Sequence, residues 1–246
     1  MTSKALMENM VDQSLVGGSD GEFGLKGDGD GWGYNIGLLF TPHEKIRIGA
    51  SYRSSVKVDY DGTATLRNIA PALQPLFGGS SYKTDAKTAI EFPAIFGVGI
   101  AYKPTERLTL EVGTEWTGWS SYNSQNVHLK DQVAAAGFVD TSQKKDWQDT
   151  WAVKVGAEYR ATDNLSLRAG YAYDKTPAPD KTFDPRLPDS DQQDISVGVG
   201  YQINKLKIDA AYMAVIYKDR DVSNSIVSGE YKSFAHLVGV SMGYRF

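Results

Sequence analysis

Apolar and polar side chains alternate with a period of two in about nine separate runs of this sequence. In the clearest run, Trp151–Arg160, Trp, Val, Val, Ala and Tyr share one face, while Lys, Glu and Arg lie on the other. This period is that of a β-strand with one apolar face. The sequence therefore predicts an all-β, antiparallel protein. Its predicted strands are Trp32–Thr41, Glu44–Val58, Phe92–Tyr102, Arg107–Trp119, Trp151–Arg160, Leu165–Tyr173, Ile195–Ile203, Leu206–Tyr217 and Phe234–Phe246.

The connections between these runs alternate between short and long. Tight turns are expected at 41–44, 103–106, 161–164 and 203–205, and long connections at 59–91, 120–148, 175–194 and 219–232. Outer-membrane barrels have short periplasmic turns and long external loops, and a tilted strand crosses the bilayer in about 9–11 residues. We therefore predict a transmembrane β-barrel, with the apolar face in lipid and the charged, glycine-rich face lining a lumen.

Composition agrees with this interpretation. The chain has 25 Gly, 14 Tyr and no Cys, and many aromatic residues fall near strand ends, where they would form girdles at the membrane surfaces. The net charge is −4 with no basic stripe, so nucleic acid is not an expected partner. We expect the charges on the lumen face to pair with one another. These are Arg53, Lys154, Glu158, Arg168 and Lys207.

The chain is expected to be the C-terminal part of one barrel domain spanning residues 1–246. Its first residues contain no apolar signal segment, and single-chain bacterial barrels have an even number of strands, whereas about nine are predicted. If the last strand ends in the periplasm, the strand near Trp32 enters from outside. An odd number of strands would then have to precede it.

Several segments carry a family resemblance: Gly31–Phe40, Ile48–Ser54, Asp163–Tyr171, Thr176–Asp180 and Arg186–Asp191. From about Gly31 onward the chain resembles the FadL-type outer-membrane transporters of long-chain fatty acids and hydrophobic aromatics. The resemblance implies a fourteen-stranded barrel plugged by an N-terminal hatch, with passive transport and neither catalysis nor a cofactor. About nine of those strands would be present here, and the hatch and the earlier strands would be missing.

The resemblance also implies the partners. A long-chain fatty acid or similar hydrophobic small molecule would be the ligand, and outer-membrane lipid and lipopolysaccharide would surround a full-length monomer. The chain ends in Phe246, and a terminal aromatic residue is typical of barrels inserted by the barrel assembly machinery. The expected location is the outer membrane of a Gram-negative cell.

Apolar residues in the external segments are the candidate capture site. Leu73, Leu76 and Phe77 belong to a connection that is far more apolar than a solvated loop requires. Residues Lys4–Leu15 are predicted to form a short amphipathic helix with Leu6, Met7, Met10 and Val11 on one side. In the family, two neighbouring external loops form a capture groove. The alternative is that these loops only pack on each other as a lid. The stretch 133–139 is a third candidate.

A ligand carboxylate needs a cation when it leaves water. In related transporters a lysine just ahead of the strand that begins near Trp151 helps to hold the head group. Lys144 is the best match to that lysine, and Lys145 remains possible. The alternative is that Lys144 is a solvated loop residue.

Catalytic and metal-binding motifs are not found. The three histidines are scattered along the sequence, and no Gly-x-Ser-x-Gly elbow is present. We therefore predict neither catalytic residues nor metal ligands.

A surface adhesin or receptor barrel is the alternative function, and it would require external loops rich in polar contacts.

Overall fold

The computed structural model describes residues 2–225 and 227–245. Its strands are β1 (Thr2–Val11), β2 (Gly21–Asp30), β3 (Asn35–His43), β4 (Ile46–Arg53), β5 (Val56–Arg67), β6 (Tyr82–Phe92), β7 (Ile95–Tyr102), β8 (Leu108–Thr117), β9 (Ser124–Leu129), β10 (Thr141–Lys144), β11 (Thr150–Arg160), β12 (Leu165–Asp174), β13 (Gln192–Ile203), β14 (Leu206–Tyr217), β15 (Arg220–Ser223), β16 (Ser228–Tyr231) and β17 (Phe234–Tyr244). The helices are one α-turn, α1 (Gln74–Phe77), and the 3-10 turns Ser14–Val16, Trp119–Ser121, Ala134–Ala136 and Asp180–Thr182. None of the helices in the described residues is long and apolar enough to span a membrane.

The strands divide between two compact units. The membrane unit, as we call it, comprises residues 34–54 and 93–120 and the described part of 146–246, and contains a nine-stranded sheet in the order β17-β14-β13-β12-β11-β8-β7-β4-β3. Every neighbouring pair in this sheet is antiparallel. These are the nine strands predicted from the alternation, joined by the predicted tight turns. One boundary is wrong, because the predicted strand Glu44–Val58 is two strands, β4 and β5.

Cross-strand register keeps the apolar side chains of the membrane unit on a single face. One row across seven strands consists of Phe40, Ile48, Ile100, Val112, Val155, Tyr171 and Ile195. The adjacent row on the opposite face contains Arg47, Ala101, Glu111, Gly156, Gly170 and Ser196. The apolar face is open, with Ile195 49% and Val240 73% exposed. A continuous apolar surface of this kind requires an apolar environment.

The second unit, which we call the outer unit, comprises the described part of residues 1–33 together with 55–92 and 121–145. It contains a six-stranded antiparallel sheet in the order β1-β2-β5-β6-β9-β10. The helix predicted over Lys4–Leu15 is wrong, because residues Thr2–Val11 form β1 and pair along their whole length with β2. Much of the connections predicted over 59–91 and 120–148 is likewise β-strand.

One face of the outer unit's sheet is apolar and forms its core. Val58 and Ala64 are fully buried on the inner face of β5, and charged residues such as Lys57 and Asp59 occupy its outer face. Two connecting segments, residues 69–77 and 133–138, pack onto one end of this inner face. The other end is left open.

Candidate functional site

The open end of the inner face is an apolar groove of about 310 Å³, within the range of small-molecule sites. Its lining comprises Lys4, Ala5, Leu6, Met7, Leu25, Lys26, Gly27, Tyr60, Gly62, Thr63, Ala86, Lys87, Thr88, Ile90, Gln125 and Val127. The groove therefore draws on β1, β2, β5, β6 and β9, and the strand pairing of the outer unit builds it. We call it the outer groove.

Two glycines allow the strands beneath the outer groove to approach closely. Gly27 on β2 is the direct partner of Gly62 on β5. A Cβ atom added at Gly62 would lie 2.0 Å from the carbonyl oxygen of Lys26 and 2.5 Å from the Cα atom of Gly27. Only glycine fits this position without a backbone shift.

An aromatic cluster closes one end of the same inner face. The ring of Phe138 meets those of Phe23, Phe77 and Tyr82 at centroid distances of 6.1, 5.9 and 5.6 Å, each edge to face. This geometry is favourable for aromatic pairs. Phe138 also packs on the buried residues Ala64, Ala86, Val127 and Leu129.

The structure separates the predicted capture residues into three groups. Leu6 lines the outer groove from the edge strand and is 70% exposed. Met10 is 65% exposed and lies outside the groove lining. Leu73 and Phe77 pack into the aromatic end of the inner face, and Leu76 next to them is exposed. The segments 69–77 and 133–138 meet each other and leave a groove open beside them.

The two candidate lysines have different environments. Lys144 is exposed and ends β10, where it pairs with Ser124 of β9. Lys145 is 2% exposed, and its backbone N–H donates to the carbonyl oxygen of Asn123 at 2.8 Å. Lys144 is therefore the one of the two that is accessible to a ligand.

Asp140 fastens the segment that carries Phe138. Its carboxylate accepts hydrogen bonds from the Leu129 backbone N–H at 2.7 Å and from Gln132 Nε2 at 3.0 Å, and lies 3.1 Å from His128 Nδ1. The Leu129 N–H, followed by His128, lowers the pKa of Asp140 below its usual value. At the segment's other end, Thr84 Oγ1 accepts from the Asp131 backbone N–H at 2.9 Å.

The polar face of the membrane unit has its own cavity of about 790 Å³. Gly49, Gly99 and Gly113 lie in register across β4, β7 and β8, so these three positions add no side chains to this part of the face. Charges at its margin include Lys154, whose Nζ atom is 3.3 Å from Glu115.

A smaller cavity of about 320 Å³ lies among the connections at one end of the same unit. Its walls include Trp119 and Trp147, whose rings meet edge to face at 5.0 Å, and Arg186, which binds Asp184 through Nε and Nη2. Asp189 also lines it, and burial raises the pKa of this carboxyl group above its usual value.

Comparison with known proteins decides the family. Residues 9–246 match the model of the family described as outer membrane protein transport protein (OMPP1/FadL/TodX). The chain belongs to this family. It is therefore an outer-membrane protein, and the predicted resemblance, location and fold class are confirmed.

The named relatives are much longer than this chain. A putative outer membrane protein of Neisseria meningitidis is 26% identical over 267 residues, which cover 100% of this chain and 57% of the relative. A long-chain fatty acid transport protein of Escherichia coli is 25% identical over 262 residues, again 100% of this chain and 57% of the relative. The chain thus spans little more than half the length of these relatives.

Solved structures show the same fold. The crystal structure of a Pseudomonas aeruginosa FadL homologue superposes with a TM-score of 0.83 at 23% identity, covering 99% of this chain and 61% of that chain. The Pseudomonas putida toluene transporter TodX superposes with a TM-score of 0.69 at 21% identity, covering 99% of this chain and 64% of that chain. The nine-stranded sheet is accordingly part of an antiparallel transmembrane β-barrel.

Membership of this family indicates what each face of the membrane unit contacts. The apolar face contacts lipid and the charged, glycine-rich face lines the lumen. The predicted pairing of lumen charges is found along this face, where Arg168 binds both Glu158 and Asp209 at 2.7 Å. Lys207 lies 3.3 Å from Asp209, and Arg53 donates to Asn35. Phe246, the predicted signal for assembly, lies outside the described residues.

Sequence reasoning missed most residues of the outer groove. Leu25, Tyr60, Ile90 and Val127 were not singled out. A signal was present, because apolar residues or glycine alternate with charged or polar residues from Val56 to Leu66, as they do in the membrane strands. The residues from 59 to 91 were predicted to be a long loop, so their alternation was not interpreted as a strand.

Proposed function

We propose that this protein captures long-chain fatty acids, or similar hydrophobic compounds, in the outer groove and passes them through the barrel lumen without an energy source. The open groove carries this proposal, because an apolar cavity on the sheet of an outer-membrane protein is suited to an apolar ligand. The names of family members agree, since one is a fatty acid transport protein of E. coli and another a toluene transporter of P. putida.

In this proposal Leu6 forms the rim of the capture site, and Leu76 supplies an exposed apolar contact beside it. Leu73 and Phe77 support the aromatic end on which the ligand abuts. Met10 is on the same face of β1 as Leu6 but lies outside the groove lining, and it has no role in capture. The hydrophobic contribution scales with the apolar area that the ligand removes from water, about 25 cal/mol per Å².

The ligand's head group is assigned to Lys144. A carboxylate that leaves bulk water is costly unless a cation meets it, and this exposed lysine ends a strand of the same unit as the outer groove. Lys145 is buried, and substituting it would disturb folding. Lys144→Gln should weaken fatty acid binding and leave the binding of toluene unchanged, because toluene has no head group.

The proposal includes the setting of the full-length protein. It is a monomer surrounded by outer-membrane lipid and lipopolysaccharide, delivered by the barrel assembly machinery, which reads Phe246. The lumen charges form pairs with one another and keep the passage hydrated. No chemical step is required of the protein.

The test compares two neighbouring positions on β6. Ile90 lines the outer groove, whereas Ala89 lies on the opposite face of the same strand. We expect Ile90→Gln to reduce uptake of radiolabelled oleate at low concentration by about tenfold, and Ala89→Gln to leave it unchanged. Equal uptake by both variants and the parent protein would reject capture in this groove. Binding of cells to host macromolecules, with no uptake, would favour the adhesin alternative.

A further inference from the structure

The outer groove and the aromatic cluster lie on one continuous surface. β2 passes from Gly27 and Leu25 in the groove to Phe23 in the cluster. β6 does the same, from Ile90 and Ala86 to Tyr82. Side chains two residues apart on a strand point to the same face, so these residues form one surface along the strands. The groove therefore runs parallel to the strands and ends at the cluster.

Phe138 is the residue that closes this end. It comes from a connecting segment and not from the sheet, and it packs against the buried cluster that includes Ala86 and Val127, both of which also line the groove. Its ring contacts all three other rings of the cluster. Without Phe138, the apolar surface of the groove would continue past Ala86 toward Tyr82.

The segment holds Phe138 in place from both sides. A bridge joins Val133 to Phe138, and the 3-10 turn Ala134–Ala136 lies between them. Asp131 is fastened to Thr84, and Asp140 to Leu129. Phe138 is thus positioned by polar contacts outside the groove, so the size of its side chain can change without the loss of these anchors.

We infer that Phe138 is the stop that sets how long a hydrocarbon chain the outer groove accepts. This inference rests on the proposed function and adds a specificity-determining residue to it. The section from Ile90 to Ala86 spans about 13 Å at the rise of a β-strand. A ligand that fits this section contacts apolar side chains along its whole chain, whereas the end of a longer one meets the Phe138 ring and stays in water.

The experiment measures binding of octanoate, dodecanoate and oleate to the full chain in lipid nanodiscs, since detergent would compete for an apolar groove. Phe138→Ala should raise the affinity for oleate relative to octanoate by about tenfold, because each newly buried methylene contributes up to about fourfold. Phe138→Trp should shift the preference toward octanoate. Phe138→Leu, which conserves most of the packing, should give an intermediate preference and keeps the test valid if the alanine variant fails to fold.

Ile69→Ala is the matched control. Ile69 is 2% exposed and packs in the part of the core that does not border the groove. Its truncation opens a cavity without lengthening the groove, so the ratio of oleate to octanoate affinity should stay at the parent value.

The outcomes distinguish a failure of the Phe138 stop from a failure of the capture site itself. If Ile90→Gln weakens binding but the Phe138 variants keep the parent chain-length ratio, the stop is overturned and the capture site stands. If Ile90→Gln has no effect on binding, the proposed function fails and the stop fails with it. A shift of the ratio in Phe138→Ala and Phe138→Leu, with none in Ile69→Ala, supports the stop.

Discussion

The guanidinium group of Arg220 lies over the ring of Phe183, with 4.9 Å between the Cζ atom and the ring centroid. Phe183 is 1% exposed, and the Arg220 side chain is 10% exposed. The same guanidinium donates to Asp180 and to the carbonyl oxygens of Ala178 and Asp189. One arginine at the start of β15 thus ties the β15–β16 hairpin to the connection between β12 and β13.

The first prediction concerns this arginine. Arg220→Ala leaves two carbonyl oxygens without this donor and should destabilise the connection by about 2 kcal/mol. We expect faster proteolysis between β12 and β13, measured on the protein in membranes. Arg220→Lys keeps the charge but loses the fork of donors, so its rate should be intermediate. An unchanged rate in Arg220→Ala would show that the connection is held by other contacts.

The second prediction concerns the close approach beneath the outer groove. Gly62→Ala places a methyl group against the backbone of Lys26 and Gly27, which cannot rotate away. The strands must separate, at a cost of about 1–3 kcal/mol. Hydrogen exchange at β2 and β5 should become faster.

Gly24 provides the control for Gly62. A Cβ atom there would have Thr65 Oγ1 at 3.6 Å as its nearest neighbour, an ordinary contact. Gly24→Ala should therefore leave the exchange rates of β2 and β5 near the parent values. If the two alanine variants behave alike, the close pairing of Gly27 with Gly62 is not a constraint on this sheet.

The nine membrane strands could be predicted from sequence because each contributes one apolar and one polar face, which gives an unambiguous period of two. β1 could not. Leu6, Met7, Met10 and Val11 share one side of a helix, which favoured the helix, whereas in β1 Leu6 and Met10 lie on one face and Met7 and Val11 on the other. Pairing with β2 decides for the strand, and no local pattern in β1 shows that pairing.

The candidate site was predictable only in part. Leu73, Leu76 and Phe77 attract attention because they are apolar in a long connection, but burial of Phe77 depends on Phe138, which is distant in sequence. The outer groove depends on the register of five strands, and especially on the pairing of Gly27 with Gly62. Long-range register of this kind is set by tertiary packing.

The third prediction concerns pH and Asp140. Its pKa is lowered from 3.8, so the ionised form is favoured in the folded state. The resulting stabilisation is present above about pH 3.8 and is lost as the pH falls through the lowered pKa. Protection of the Leu129 amide from hydrogen exchange, corrected for the intrinsic rate, should therefore drop in strongly acidic buffer. The loss should be absent from Asp140→Asn, which has no carboxyl group to titrate at this position. A parent protein without this acid step would contradict the anchoring role of Asp140.

The transport proposal depends on the orientation of the nine-stranded sheet. In β13, Ile195, Val197 and Val199 face lipid. Ser196, Gly198 and Gly200 face the lumen. Because the chain has no cysteine, single cysteines at these six positions of β13 can each carry a fluorophore. The decisive measurement is quenching by brominated lipid in reconstituted vesicles. We predict strong quenching at the three odd-numbered positions and weak quenching at the three even-numbered ones. Equal quenching at all six, or the reverse alternation, would contradict the membrane orientation and, with it, the transport proposal.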